Sequence, residues 1–160
     1  MGRVVYIFIL AAFIVAAGYD LLLPTNLKAA EPFERDVADI LTGDGKRHRF
    51  RVEIVSTPQD RAQGLQVRKQ LTPDAGMLFD YRVTRPIAMW MKNTLIPLDM
   101  LFIDRTGIVK NLKERARPHS LDPISAKGFV RGVLELPGGT VSRLGIKPGD
   151  RVLHPIFSTP

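Results

Sequence analysis

The chain contains no cysteine among its 160 residues. This absence excludes disulfides, thiolate nucleophiles and zinc sites built on thiolates. Histidine is scarce as well: His48, His119 and His154 lie far apart and form no H-x-H or H-x-x-x-H spacing. Because local metal-binding motifs depend on such spacing, the sequence predicts no metal site and no cofactor.

Acidic residues are outnumbered, with 16 Asp and Glu against 23 Lys and Arg and a formal net charge of +7. A basic chain favours anionic partners. The interleaved aromatic and basic residues that form platforms for single-stranded nucleic acid are missing. We therefore expect no nucleic-acid partner.

Long apolar runs are also rare, and the longest uninterrupted one is Val4–Ala17 near the N-terminus. It follows a basic residue and matches the apolar core of a signal peptide, but it is shorter than the about 20 residues that span a bilayer. Leu21–Leu23 could extend it into an uncleaved anchor. We predict residues 1–30 to be a signal peptide or an N-terminal membrane anchor. Residues 31–160 are then one exported domain, either free in the periplasm or tethered there to the inner membrane.

Alternation of period two dominates residues 31–160. In Arg47–Val55 apolar side chains alternate with polar ones, which indicates a half-buried strand, and the turn before it predicts pairing with Val37–Leu41. More short strands follow at close spacing, with one helix beginning at Pro58 and another ending at Gly145. The pattern predicts a mainly β fold, a small antiparallel β-barrel or sandwich of seven to eight strands with one or two short helices.

The segment MWMKNTLIPLDMLFID, residues 89–104, sets polar residues into an apolar stretch. A hairpin of 86–92 with 98–104 would place Lys92 opposite Asp99. The two residues could then form an ion pair that closes one end of the barrel. Alternatively, they could line a pocket together with Trp90 and Asn93.

Two other charged residues have alternative interpretations. Arg68 could bind an anion, or it could tie its own loop to a carboxylate. Glu135 lies in a predicted strand whose Val133 and Glu135 face could be inward, and a core-facing Glu either pairs with a basic residue or has a raised pKa. Together with Asp99 it could form the carboxylate pair of a glycoside hydrolase.

Five stretches together carry a resemblance to a known family: TPQDRAQGL, GMLF, MWMKNTLIPLDMLFID, VLELPGGT and LGIKPGDRV. In this order they resemble the bacterial and archaeal family called domain of unknown function 192, over approximately Val37–Val152. The resemblance implies a compact, mainly β domain, often behind a signal peptide in proteobacteria, and it implies no activity. The chain departs from the family pattern at Gln66, where Met is common, and in the more basic stretch 111–120.

The residues favour a non-catalytic binding module for a small polar or anionic ligand or an acidic partner in the cell envelope. The predicted site consists of Arg68, Trp90, Lys92, Asn93 and Asp99. One alternative is an envelope hydrolase that uses Asp99 and Glu135. Another is a structural or interaction protein associated with an anionic membrane. The sequence does not decide whether a reaction is catalysed.

Overall fold

The computed structural model describes residues 33–157. The strands are β1 (Glu34–Leu41), β2 (Arg47–Val55), β3 (Ala75–Arg85), β4 (Ala88–Met89), β5 (Leu98–Ile103), β6 (Val109–Ala116), β7 (Ile124–Ser125), β8 (Val130–Pro137) and β9 (Arg151–Leu153). The helices are α1 (Pro58–Gln63), α2 (Thr140–Leu144) and a 3-10 turn (Pro155–Phe157). Within 33–157 no helix is long and apolar enough to cross a bilayer. The predicted signal peptide or anchor, residues 1–30, lies outside the described residues.

Seven strands form one curled sheet in the order β6-β5-β8-β3-β2-β1-β9, and β4 and β7 form a separate ribbon. The two edge strands approach each other, because Ile108 bridges to Arg151 and the Val109 amide donates to the Asp150 carbonyl at 2.9 Å. The sheet is therefore a half-barrel whose edges are joined at one end. The prediction of a mainly β fold with short helices is confirmed.

One strand pair differs from the antiparallel prediction. β2 and β3 are parallel, while the other strand pairs in the described residues are antiparallel. The reason is the connection 56–74, which contains α1 and carries the chain from the end of β2 back to the start of β3. Its length is that of a crossover between parallel strands, which needs a dozen or more residues.

Alternate residues of the sheet enter two hydrophobic clusters on its two faces. The interior cluster receives residues from all seven strands and consists of Ala38, Ile40, Phe50, Val52, Leu78, Leu101, Ile103, Val109, Leu134, Leu136, Val141, Ile146, Val152 and Phe157. The outer cluster lies on the other face and consists of Val55, Leu65, Met77, Phe79, Ile87, Met91, Leu98, Met100, Phe102, Ala116, Val130 and Val133. Leu65, Ile87 and Met91 contribute to the outer cluster from the connections that lie over this face.

Helix α1 begins where its sequence predicts. The Thr57 hydroxyl accepts a hydrogen bond from the Asp60 amide, and Pro58 occupies the first helical turn. Gly64 ends the helix with a φ of 49°, and a Cβ built there would lie 3.3 Å from Cζ of Phe79. Glycine at this position therefore allows α1 to pack closely on β3.

The predicted hairpin of 86–92 with 98–104 is wrong. β5 lies inside the sheet between β8 and β6, and β4 pairs with β7. All six residues of β5 are buried. A strand that is buried on both faces usually lies inside a sheet, where it forms backbone hydrogen bonds with a neighbouring strand on each edge. The intervening residues instead make a tight turn, in which the Thr94 amide donates to the Met91 carbonyl at 3.1 Å.

Candidate functional site

Asp99 is a buried structural residue and not part of a pocket with Lys92. Its Oδ1 accepts hydrogen bonds from the backbone amides of Arg115 at 2.8 Å and Gly139 at 3.0 Å, and its Oδ2 accepts from the Val141 amide at 2.7 Å. These amides belong to β6 and to the start of α2. The carboxylate therefore fastens two elements to β5, and no described basic side chain pairs with it.

Arg68 ties its loop to the sheet. Its guanidinium makes two hydrogen bonds to the Glu53 carboxylate, one of them from Nη1 to Oε1 at 2.9 Å. A bidentate pair of this kind satisfies the fork of the guanidinium. Of the two interpretations of Arg68, the loop tie is the one that the structure contains.

A small cleft of about 40 Å³, open to solvent, lies over the outer face of the sheet. Residues 61–66, from α1 and the loop after it, form one wall. The opposite wall contains Met89, Trp90, Lys92 and Thr94, and Phe79 and Glu135 also line the cleft. Three residues singled out in the sequence, Trp90, Lys92 and Glu135, are thus brought together here.

Glu135 is an ionisable group in an apolar setting. It is paired in register with Met77 of β3 on one side and Met100 of β5 on the other, and only 4% of its surface is exposed. Its carboxyl makes no hydrogen bond or ion pair with any residue in 33–157. Burial raises the pKa of Glu135 to about 8, so the carboxyl is predominantly protonated and neutral at pH 7.

The rim of the cleft offers an aromatic surface and a cation. Trp90 is 58% exposed, and Lys92 is also exposed. The Lys92 ammonium has no carboxylate partner among residues 33–157. Asn93 lies beside the rim and not in the lining, because its Nδ2 donates to Oε1 of Gln66 at 3.2 Å and its carbonyl accepts from the Val67 amide.

Tyr81 and Arg61 support the cleft near its base. The Tyr81 hydroxyl donates to Sδ of Met89 at 3.4 Å, and the Arg61 guanidinium stacks 4.7 Å from the centre of the Tyr81 ring. Burial raises the pKa of Tyr81. The positive charge of Arg61 lowers this pKa, and the negative charge that Glu135 carries once it is ionised raises it. Neither residue was predicted from the sequence, since only the parallel crossover brings α1 above this part of β3.

The carboxylate pair of the hydrolase hypothesis is not formed. Asp99 pairs in register with Leu136, a residue of the interior cluster, whereas Glu135 pairs with Met77 and Met100 of the outer cluster. The two carboxyls therefore project from opposite faces of the sheet and cannot act on one bond. In the described part of the chain, no three His, Asp or Glu side chains are grouped as a metal site requires.

Comparison with known proteins identifies the family. The model of the family described as domain of unknown function 192, "Uncharacterized ACR", matches residues 39–154. The chain belongs to this family, which confirms the resemblance seen in the sequence. Among curated proteins no significant match was found.

Two solved structures have the same fold. One, from Sinorhizobium meliloti 1021, is described as a candidate transcription regulator; it is 47% identical, with a TM-score of 0.75, and the match covers 76% of this chain and 95% of that one. The other, a protein of unknown function from Novosphingobium aromaticivorans, is 36% identical with a TM-score of 0.75, covering 79% of this chain and 89% of that one.

Proposed function

We propose that the protein is a non-catalytic binding module whose site is the cleft between α1 and the 89–94 segment. The observation that carries the proposal is Glu135, a buried carboxyl that lines the cleft without a hydrogen-bond partner in the described residues. The carboxyl of Glu135 lines the cleft, so a ligand there can supply the hydrogen-bond partner that the described residues around it do not. The export expected from residues 1–30 belongs to the same proposal.

The ligand class follows from the groups around the cleft. A protonated Glu135 donates one hydrogen bond, and a negatively charged oxygen is the strongest acceptor for it. Lys92 attracts the same negative charge from the rim, and the exposed ring of Trp90 offers a flat apolar surface. We therefore propose a small organic anion, bound through one anionic group between Glu135 and Lys92.

Binding is favoured over catalysis by what the lining contains. Glu135 is the one carboxyl among the described lining residues. Hydrolysis of a glycosidic bond by the usual mechanism needs a second carboxylate as base or nucleophile. The proposal accordingly assigns Glu135 to recognition.

DNA binding, which the description of the S. meliloti relative would suggest, finds no support in the fold. Motifs that read the major groove present a helix or a two-stranded ribbon to the bases. The longest helix in residues 33–157 is α1, with six residues. The ribbon β4-β7 has only two residues in each strand.

The test is a binding survey on the purified domain. Small carboxylates, sulfonates and phosphate esters are screened by thermal shift at low and high salt, and hits are measured by calorimetry at about pH 6 and about pH 9, on either side of the pKa of Glu135. Binding should weaken at the higher pH, because an ionised Glu135 repels the anion. Glu135→Leu should abolish binding, while Glu135→Gln, which keeps a donor, should bind without this pH dependence. If no anion stabilises the domain at low salt, the proposal fails.

A further inference from the structure

Three loops meet at the tight turn Met91–Thr94. The Val67 amide donates to the Asn93 carbonyl at 2.9 Å, which joins the turn to the loop after α1. The Met91 amide donates to the Ser120 carbonyl at 3.0 Å, which joins it to the loop after β6. Residues 65–70, 90–95 and 116–122 thus form one continuous surface, which we call the loop face.

The loop face carries projecting apolar side chains. Seven large apolar residues are exposed in the described part of the chain, and four of them lie here: Val67 at 72%, Trp90 at 58%, Leu95 at 40% and Leu121 at 67%. Isolated exposed apolar residues are normal on a protein surface, but a group of them marks an interaction site. Val67 and Leu121, the two most exposed of the four, do not line the cleft and stand out from the surface.

The backbone of the loop face is strained. Three of the five non-glycine residues with positive φ in 33–157 lie in it: Val67 at 55°, Asn93 at 56° and His119 at 62°. For a β-branched residue such as Val67 this conformation is rare and unfavourable. Strained residues of this kind cluster at binding sites, where the surrounding contacts hold a side chain in a functional position. Here the strain serves to present an apolar side chain to solvent.

The loop face is also positively charged. Lys69, Lys92 and Arg117 are exposed, and none of them forms an ion pair with a described residue. The single acidic residue in the three segments is Asp122, whose carboxylate accepts a hydrogen bond from the Ser120 hydroxyl and whose amide donates one to that hydroxyl. The surface therefore combines unpaired cations with protruding apolar groups and attracts an anionic partner.

We propose that the loop face docks on the surface of an anionic phospholipid membrane. Trp90, Val67 and Leu121 enter the interfacial layer, where tryptophan is favoured, and the cations contact headgroup phosphates. A peptide partner fits less well, since peptides usually bind in a groove or add to a free strand edge. The edge strands of the curled sheet, β6 and β9, are joined at one end, and only Ala116, the last residue of β6, belongs to the loop face. The proposal shares Trp90 and Lys92 with the cleft but does not depend on Glu135.

The experiment uses residues 33–160, so that the apolar N-terminal run cannot itself insert into lipid. This part is a complete folding unit: residues 33–157 contain both hydrophobic clusters and the whole sheet. The two solved relatives, of which the match covers 95% and 89%, consist of little more than this domain. Trp90 is the only tryptophan of the chain, so its fluorescence reports on the loop face alone.

The domain is mixed with vesicles of phosphatidylglycerol and phosphatidylcholine in equal parts, and with vesicles of phosphatidylcholine only. We expect a blue shift of Trp90 emission and co-sedimentation with the anionic vesicles, both lost at high salt. Neutral vesicles should give neither. Absence of the blue shift and of co-sedimentation with anionic vesicles at low salt would overturn the proposal. An equal blue shift with polyglutamate in the absence of lipid would also overturn it, in favour of an acidic polypeptide.

Variants locate the contact. Val67→Ser combined with Leu121→Ser should weaken vesicle binding about tenfold or more, and Lys92→Ser about fivefold. The matched control is Val83→Ser, an apolar residue of similar exposure (61%) in β3, which should bind like the unmodified domain. Equal losses in the control and in the double variant would refute the loop face as the docking site.

The variant Glu135→Gln distinguishes membrane docking by the loop face from ligand binding in the cleft. It should leave vesicle binding unchanged, because Glu135 is buried below the rim. If Glu135→Gln abolishes vesicle binding and the loop variants do not, the headgroup enters the cleft and the docking proposal is wrong. Absence of small-anion binding by the unmodified domain, with intact vesicle binding, would instead remove the cleft proposal alone.

Discussion

Replacing Glu135 by Gln should change the pH dependence of stability in a defined way. In the folded protein, burial raises the pKa of Glu135 to about 8, against an ordinary value of 4.5. The folded protein therefore retains a proton that the unfolded chain loses above its own pKa. The stability associated with this proton is fully present below about pH 4.5 and is lost as the pH rises towards about 8.

The magnitude follows from the two pKa values. One bound proton of difference changes the free energy of unfolding by about 1.4 kcal/mol per pH unit. Between 4.5 and about 8 the loss due to Glu135 is on the order of 5 kcal/mol, a large fraction of the stability of a domain of this size. The Gln side chain has nearly the same shape and does not titrate, so it lacks this loss. Its unpaired amide protons add a cost of about 1 to 3 kcal/mol, but this cost is independent of pH.

The assay is urea unfolding of both proteins in steps from about pH 4.5 to about pH 8.5. The difference in free energy of unfolding should move in favour of Glu135→Gln by up to about 1.4 kcal/mol per pH unit and level off near the upper end. Other titrating groups are shared and cancel in this difference. Glu114→Gln, at an exposed residue of β6, is the control and should give a difference that is flat with pH. A flat difference for Glu135→Gln would refute the assignment of a buried protonated carboxyl.

Three further substitutions test the other assignments. Asp99→Asn should lower the free energy of unfolding by about 2 to 4 kcal/mol, since its amide group cannot accept all the backbone hydrogen bonds that the carboxylate accepts; an unchanged urea midpoint would contradict this. Lys92→Met should leave the thermal midpoint unchanged, because the ammonium contacts no described carboxylate, and a clear drop would restore the ion-pair interpretation. Val67→Gly should raise the free energy of unfolding by about 1 kcal/mol by relieving the positive φ, and a loss of stability in urea would show that the valine side chain is needed for packing.

Local patterns in the sequence correctly predicted the strands, turns and helix starts that depend on residues close together in the chain. The alternation in Arg47–Val55, the turn before it and the start of α1 at Pro58 are all present as expected. Each depends on contacts within a few residues, so one sequence suffices to recognise it. The parallel pairing of β2 with β3 was missed although the connection is long enough, because the length of a connection permits a crossover without requiring one.

The candidate site was predicted only in part, for a physical reason. Trp90 and Lys92 were found because they are polar or aromatic residues in an apolar segment, and Glu135 because it interrupts a buried strand. The residues of a strand do not specify which other strand it pairs with. A hairpin between neighbouring segments was therefore assumed, and this hairpin placed Asp99 beside Lys92. The wall formed by Arg61 and its neighbours depends on the crossover and could not be predicted without it.

Asp99 and Glu135 show how two buried carboxyls on neighbouring strands reach different solutions. Asp99 faces the side of the sheet where α2 begins, and backbone amides there donate hydrogen bonds to its carboxyl oxygens. Glu135 faces the outer side, where its strand neighbours are methionines that donate no hydrogen bonds, so it keeps its proton instead. A fold that needed only stability could carry Leu at position 135 without this cost. The proposed binding of an anion therefore depends on Glu135 more than on any other residue of the cleft.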